Sequence, residues 1–263
     1  MTTRYPVSRK INREAVVLLG WGRAILLQLA HPLVAAGVAA GSDFHQGARA
    51  YMKRMHHTVG SMLSLCFGTE DEAREVIDRI NGIHRRVHGR LPEPVGPFPA
   101  GTPYSARDPR LLCWVHVTLL ESVVLAYELF VGELAPEEKD AYVAESADVA
   151  RALGVTDDVL PMSYAELQAW MAGLYGAGEI VVGGQAKTLA AALLAPRLGP
   201  AAPVFRVSRL LTIGMLPPAI REGYGFEWDA RRARACRRAI AWTRRLRGVL
   251  PPVLREWPKA RAA

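Results

Sequence analysis

An apolar helical stripe ends in the stretch Ile83-His84-Arg85-Arg86-Val87-His88-Gly89. Before it, apolar residues recur at three- and four-residue spacing, the pattern of one buried helix face: Ala73, Val76, Ile77, Ile80, Ile83 and Val87. His84 lies on this face, where another aliphatic side chain would be expected, and His88 follows one turn later. The stretch therefore predicts a helix that carries imidazole into the interior.

A buried, uncharged imidazole needs a partner for its ring nitrogens, because leaving one unpaired costs ~1–3 kcal/mol. The partner of His84 is either a backbone carbonyl, as in many core histidines, or a metal ion. His84 and His88 together could hold zinc, but no glutamate follows His84 as in the helical metalloprotease motif. All seven histidines lie within the first 116 residues and the remaining 147 residues have none, which favours a histidine site.

Helical periodicity and capping signals extend over the rest of the chain. Thr69 with Glu72 and Ser163 with Glu166 form capping boxes, and Asp108-Pro109 is a helix start. No run alternates with the two-residue period of a strand. The Pro-rich segment 89–108 is expected to be a crossing loop without regular secondary structure. We therefore predict one all-α domain over residues 1–263. Helices are expected near residues 15–30, 47–66, 69–88, 108–123, 136–153, 163–175, 184–194, 204–213, 229–247 and 252–257.

Two of the predicted helices carry further candidate site residues. His116 lies on a stripe with Leu112, Val115, Leu119 and Val123, so it is a second imidazole at a position where burial is expected. The helix from Gly47 has an apolar stripe beside a polar one. The polar stripe contains Arg54, His57, Thr58 and Ser61, as at the rim of a buried pocket or on any amphipathic helix.

Composition limits the classes of partner and compartment. The formal net charge is +8, and the excess basic residues are concentrated in one late helix near residues 231–247. We interpret this helix as presenting a solvated basic face. No nucleic-acid-binding motif accompanies it, so nucleic acid is not expected, and contact with an anionic surface is the alternative. Three cysteines without metal-ligand spacing indicate reduced thiols. With no clear signal peptide and no uninterrupted membrane-spanning segment, the expected location is cytoplasmic.

Glycine-rich motifs of nucleotide-binding proteins do not fit this chain. Gly20-Trp21-Gly22 and Gly176-Ala177-Gly178 follow no predicted strand, and the segment that ends in Lys187-Thr188 lacks the first glycine of a phosphate-binding loop. Dinucleotide and nucleoside triphosphate binding are therefore not expected.

Several short segments, taken together in their order and spacing, resemble one family, and the resemblance covers nearly the whole chain. The segments are Gln28-Leu29-Ala30-His31-Pro32, Arg54-x-x-x-Thr58, His84-x-x-Val87-x-Gly89, the run Gly101 to His116 with Tyr104, Asp108-Pro109 and Trp114-Val115-His116, then Leu216-Pro217 and Tyr224-Gly225. The family that they resemble is the helical domain shared by bacterial rubber oxygenases (latex-clearing proteins) and the MpaB-type oxygenases of mycophenolic acid biosynthesis.

The resemblance implies an all-helical fold around one b-type haem. Carried over by position, His84 is the proximal iron ligand, whereas Arg54 and Thr58 line the other side of the haem. His116 is the weaker candidate for the iron ligand and is expected next to the site or in the core. Arg54 could contact a haem propionate or polarise bound oxygen.

One position departs from the rubber oxygenases, which have a lysine just before the threonine where this chain has His57. An imidazole there could be a second iron ligand, or could turn aside and donate a proton, since its unperturbed pKa is ~6.5.

The resemblance thus implies a haem oxygenase that uses O₂ on a small, hydrophobic, unsaturated substrate. The alternative is a non-enzymatic haem carrier or sensor with a bis-histidine iron. A binder without haem, which contacts an acidic partner or an anionic membrane through the basic helix, also remains open, and no motif indicates a redox partner.

Overall fold

The computed structural model describes residues 5–41, 47–194 and 202–262, without the side chains of residues 47–55 and 202–204. This part of the chain forms fourteen α-helices, one 3-10 helix and two short strands, which confirms the predicted all-α class. In chain order they are α1 (Pro6–Asn12), the 3-10 helix (Ala15–Leu18), α2 (Leu19–Leu29), α3 (Pro32–Ala40), α4 (Gly47–Phe67), α5 (Glu70–His84), β1 (His88–Arg90), β2 (Pro103–Ser105), α6 (Pro109–Phe130), α7 (Pro136–Leu153), α8 (Tyr164–Gly176), α9 (Gly184–Leu194), α10 (Ala202–Met215), α11 (Pro218–Gly223), α12 (Ala230–Val249), α13 (Pro252–Arg255) and α14 (Pro258–Ala262).

The predicted capping residues start their helices. The Thr69 hydroxyl accepts a hydrogen bond from the Glu72 amide at 3.2 Å, and the Glu72 carboxylate accepts one from the Thr69 amide at 2.9 Å. Asp108 caps α6 by accepting from the Arg110 amide at 2.8 Å. These contacts satisfy amides that have no partner within the first helical turn and confirm the predictions for Thr69 and Asp108. At the start of α8 the Ser163 hydroxyl accepts from the Glu166 amide at 3.2 Å, but the Glu166 carboxylate accepts from the Met162 amide, so the predicted box is only half formed.

The centre of the fold is α6, which packs against α2, α7 and α12. Cys113, Trp114, Val117 and Val124 of α6 are fully buried. By length and composition α6 could cross a membrane, contrary to the expectation that no segment would pass this test. However, 67% of its most apolar window is buried inside the fold, as in the core helix of a globular domain.

Between α2 and α3 the chain bends by 103°. The break falls at Ala30 and His31, directly before Pro32, which has no backbone amide hydrogen to continue the helix. The buried His31 ring caps α3, because its Nδ1 accepts a hydrogen bond from the Leu33 amide at 3.3 Å. The expected helix end near residue 30 is confirmed, whereas the capping role of His31 was not predicted.

The end of α5 differs from the expectation. The helix stops at His84, and His88 lies in β1, exposed and paired with Ser105 of β2. The segment 89–108 therefore contains a small antiparallel pair. The prediction of His84 and His88 on one helix face is wrong, because pairing between β1 and β2, which are distant in sequence, replaces the last expected helical turn.

Candidate functional site

A cavity of about 280 Å³ lies among α1, α4, α5, α6 and α7. This volume is close to the lower end of the ~300–1,000 Å³ typical of ligand pockets. Most of its wall is apolar, and the aliphatic residues include Leu65 from α4, Ile80 from α5, Leu119 from α6 and Val149 from α7. The cavity thus offers a ligand a mainly hydrophobic environment.

His84 from α5 and His116 from α6 both line this cavity. Nδ1 of His84 and Nε2 of His116 are buried and have no hydrogen-bond partner. In the described part of the chain, five buried side-chain polar atoms lack a partner, and three of them line the cavity, the third being Oγ of Ser8. Since buried polar groups are almost always paired, this concentration indicates a site for a group that supplies the partners.

Two predicted apolar stripes are only partly buried, and part of each lines the cavity. On α6, Leu112, Val115, His116 and Leu119 face the cavity, and Val115 is 36% exposed. On α5, Ile80 and His84 face the cavity, whereas Ile83, expected to be buried, is 48% exposed. The two imidazoles therefore lie on helix faces that line a void instead of the packed core.

Burial keeps both imidazoles neutral. It lowers the pKa of His116 to about 4 and the pKa of His84 below its usual value. A neutral imidazole is the form that ligates a metal ion, through either ring nitrogen. At neutral pH both rings thus present a lone pair for coordination.

Other polar groups in the cavity wall are less suited to bind a metal. Burial raises the pKa of the Cys66 thiol to about 12, although the Arg9 guanidinium acts in the opposite direction, so Cys66 is a neutral thiol. The Glu145 carboxylate accepts hydrogen bonds from the Val7 and Ser8 amides at 3.2 and 2.6 Å, so it caps α1. The two histidines are consequently the available nitrogen donors.

The other predicted site residues lie on α4. The side chains of His57 and Thr58 are exposed and do not line the cavity, to which α4 contributes Met62, Leu65 and Cys66. Arg54 is in α4, but its side chain lies outside the described part of the chain. The structure thus brings His84 and His116 together and does not bring His57 or Thr58 to them, so the proposed roles of Arg54, His57 and Thr58 stay predictions.

Residues 5–41, 47–194 and 202–262 contain no group of three or more His, Cys, Asp or Glu side chains arranged to hold a metal ion. A haem iron needs only one or two protein ligands, since the porphyrin supplies the other four. As a donor set, two unpaired imidazoles therefore suit a haem iron better than a bare metal ion.

Some cavity residues were not found from the sequence. Ser8 of α1 and Glu145 of α7 join the wall from helices separated by more than a hundred residues. Neither residue belongs to a periodic stripe or motif that pointed to a site. Only the packing of α1 against α7 brings them together.

The fold and cavity define an all-helical protein with a histidine-containing, mainly apolar ligand site. Residues 8–245 match the family described as ER-bound oxygenase mpaB/B'/Rubber oxygenase, catalytic domain. The chain belongs to this family, which confirms the resemblance recognised in the sequence. No curated protein and no solved structure matches the chain.

Proposed function

We propose that the protein is a haem b-dependent oxygenase that uses O₂ to oxidise a small, hydrophobic, unsaturated molecule. The observation that carries this proposal is the pair of neutral imidazoles, His84 and His116, whose buried nitrogens lack partners in one apolar cavity. The family supports oxygenase chemistry, because the matching domain is an oxygenase catalytic domain.

His84 is the proposed proximal ligand, since it corresponds to the family's histidine and its ring is held in the cavity wall at the end of α5. When bound, haem would supply the activation of O₂. The aliphatic wall from α5, α6 and α7 would exclude water and accept a hydrophobic substrate. Among the described residues that line the cavity there is no lysine or arginine, so Arg54 is retained as the candidate partner of the haem propionates.

The test is haem binding by the purified protein and by two single variants. We expect a Soret band in the wild type, its loss in His84→Ala, and an unchanged band in His88→Ala. His88 is the matched control, because it is an exposed imidazole only four residues further along the chain. Absence of a Soret band in wild-type protein supplied with haem, or full haem retention by His84→Ala, would contradict the proposal.

Oxygenase activity needs its own readout. We expect the haem-loaded protein to consume O₂ with a small unsaturated hydrocarbon such as myrcene, and not with its saturated analogue 2,6-dimethyloctane. The two hydrocarbons share one carbon skeleton, so a difference between them reports the chemistry of the double bonds. Equal consumption with both probes would argue against oxidation at unsaturated carbons.

A second candidate function is a haem carrier or sensor with a bis-histidine iron. The observation in its favour is that His116 and His84 line the same cavity, each with an unpaired nitrogen. Two strong protein ligands would leave no exchangeable position for O₂ and would favour electron transfer.

Carbon monoxide binding to the reduced protein separates the two functions. Prompt binding by the wild type indicates an accessible iron and supports the oxygenase. A low-spin spectrum that resists carbon monoxide until His116→Ala is introduced supports the carrier. The same measurement on His57→Ala tests the role predicted for His57, and relief of the block by that variant would assign the second ligand to α4.

A further inference from the structure

The net positive charge of the protein comes from its C-terminal end. Residues 230–263 contain ten arginines, one lysine and a single acidic residue, Glu256. The preceding residues contain 22 basic and 24 acidic side chains, so the whole excess of +8 originates in the last 34 residues. Most of these arginines lie on α12, which has no acidic residue.

An apolar stripe is exposed on the same helix. Trp242, Leu246 and Val249 are 69%, 57% and 79% exposed, and their spacing of four and three residues places them on one face. Val253 and Leu254 of α13, which follow Val249 by four and five residues in the chain, are 53% and 65% exposed. We call these five residues the C-terminal apolar stripe. Single exposed apolar residues are ordinary, but a contiguous row marks an interaction surface.

The arginines of α12 divide into two groups. Arg247 pairs with the buried Glu14, and Arg232 pairs with Glu227 and Asp229. Six others are exposed and form no ion pair within the described part of the chain: Arg231, Arg234, Arg237, Arg238, Arg244 and Arg245. Arg238 precedes Trp242 by four residues and Arg245 precedes Val249 by four, so each lies on the apolar face. The stripe is therefore bordered by unpaired cations.

We propose that the C-terminal apolar stripe, with the arginines beside it, docks the protein on an anionic membrane surface. A helix that lies in the interface of a bilayer inserts its Trp and aliphatic side chains between the headgroups, while flanking arginines contact lipid phosphates. The Arg247–Glu14 pair holds the opposite side of α12 against the body of the protein. The stripe thus remains on the outside of the folded domain.

Two other occupants fit this face less well. On a nucleic acid the arginines would meet phosphates, but Leu246 and Val249 would gain no apolar environment from the backbone. In a two-fold contact with a second copy, the exposed arginines of both chains would face each other without an acidic side chain on α12. A lipid surface satisfies both the charges and the apolar side chains.

The test is sedimentation of the full-length protein with vesicles of phosphatidylcholine, with and without about 30% phosphatidylglycerol. We expect binding to the anionic vesicles only. The triple variant Trp242→Ser, Leu246→Ser, Val249→Ser should bind roughly tenfold more weakly, and so should Arg238→Gln with Arg245→Gln. Met162→Ser is the matched control, since it removes another exposed apolar side chain, 42% exposed, outside the C-terminal segment.

A second measurement needs no deletion of the stripe. Brominated phosphatidylcholine in the anionic vesicles should quench wild-type tryptophan fluorescence, and Trp242→Phe should lose that quenching because it retains only the other five tryptophans. Unchanged vesicle binding by the triple variant would overturn the proposal and leave a general polyanion site, which a duplex DNA competitor would reveal. Light scattering that shows a dimer in wild type and a monomer in the triple variant would assign the face to self-association instead.

Discussion

At the scale of single residues, His31 shows how burial determines the protonation of a structural histidine. Its side chain is 3% exposed, its Nδ1 accepts the hydrogen bond that caps α3, and its ring lies 5.4 Å from that of Phe98. Burial lowers the pKa of His31 to about 4, although the nearby Asp108 carboxylate pulls it upward. The ring is therefore neutral in the folded protein at neutral pH.

This depressed pKa predicts a pH-dependent stability. The unfolded chain binds a proton at His31 below pH ~6.5, whereas the folded protein binds it only near pH 4. The contribution of His31 to stability is thus complete above pH ~6.5 and falls as the pH drops toward 4. Between pH 7 and pH 5 the loss should be about 2 kcal/mol in the free energy of unfolding.

Urea unfolding of the apoprotein at both pH values, compared with His31→Asn, measures this effect. Asparagine is also a good N-cap but does not titrate, so the variant should show a smaller loss between pH 7 and pH 5. His84 and His116 are present in both proteins, so the difference isolates His31. An identical pH dependence in the two proteins would show that His31 is not the group involved.

At the scale of helices, the contact between α2 and α6 depends on a missing side chain. A Cβ added at Gly20 would lie 2.5 Å from the Ser122 carbonyl oxygen and 3.0 Å from the Ala126 Cβ. Backbone atoms cannot move aside cheaply, so Gly20→Ala should destabilise the protein by about 1–3 kcal/mol. Urea or thermal unfolding measures the change.

Gly173 provides the matched control, because it is an exposed glycine inside α8 with no atom within 4 Å of an added Cβ. Gly173→Ala should stabilise the protein by about 0.5–1 kcal/mol, since alanine is the better helix former. If Gly20→Ala also stabilised the protein, helix propensity and not close packing would dominate at Gly20.

The sequence predicted those features that short-range interactions determine. Thr69, Asp108 and Ser163 start helices because their side chains bond to amides two or three residues later. The end of α5 was mispredicted, because β1 pairs with a strand fifteen residues further on in the chain. The close approach at Gly20 has no local signal, since it depends on where α6 lies.

The candidate site was predictable in part. His84 and His116 were recognised because each interrupts an apolar stripe, which is a local signal. That both face one cavity, and that Ser8 and Glu145 complete its wall, depends on the packing of α1, α5, α6 and α7. Periodicity indicates which face of a helix is apolar, but it does not distinguish a face on the core from a face on a cavity.

At the scale of the whole molecule, ion pairs fix the two ends of the chain to each other. Arg247 pairs with the buried Glu14, and Arg13 pairs at 2.8 Å with Glu256, which is 9% exposed. Lys259 of α14 lies 3.0 Å from the Glu72 carboxylate at the start of α5. The C-terminal segment is thus attached to the same helices, α1 and α5, that border the cavity.

Cofactor binding should stabilise the protein through α5. This helix packs on α4 and α7, whereas His116 is held in the core helix α6 on another wall of the cavity. Haem ligated by His84 would connect α5 to a group in contact with α6. A ligand that binds only the folded state raises the free energy of unfolding by about 2.7 kcal/mol when its concentration is a hundred times its Kd.

We therefore expect the haem-loaded protein to unfold at a higher temperature than the apoprotein, with slower amide hydrogen exchange in α5. Exchange in α12 serves as the internal reference, because that helix packs on α6 and α10 and does not line the cavity. His84→Ala should remove both effects of added haem. If added haem slowed exchange in α12 and left exchange in α5 unchanged, the cofactor would lie elsewhere in the fold. Ligation at His84 is the contact that would hold the C-terminal end of α5 against the haem.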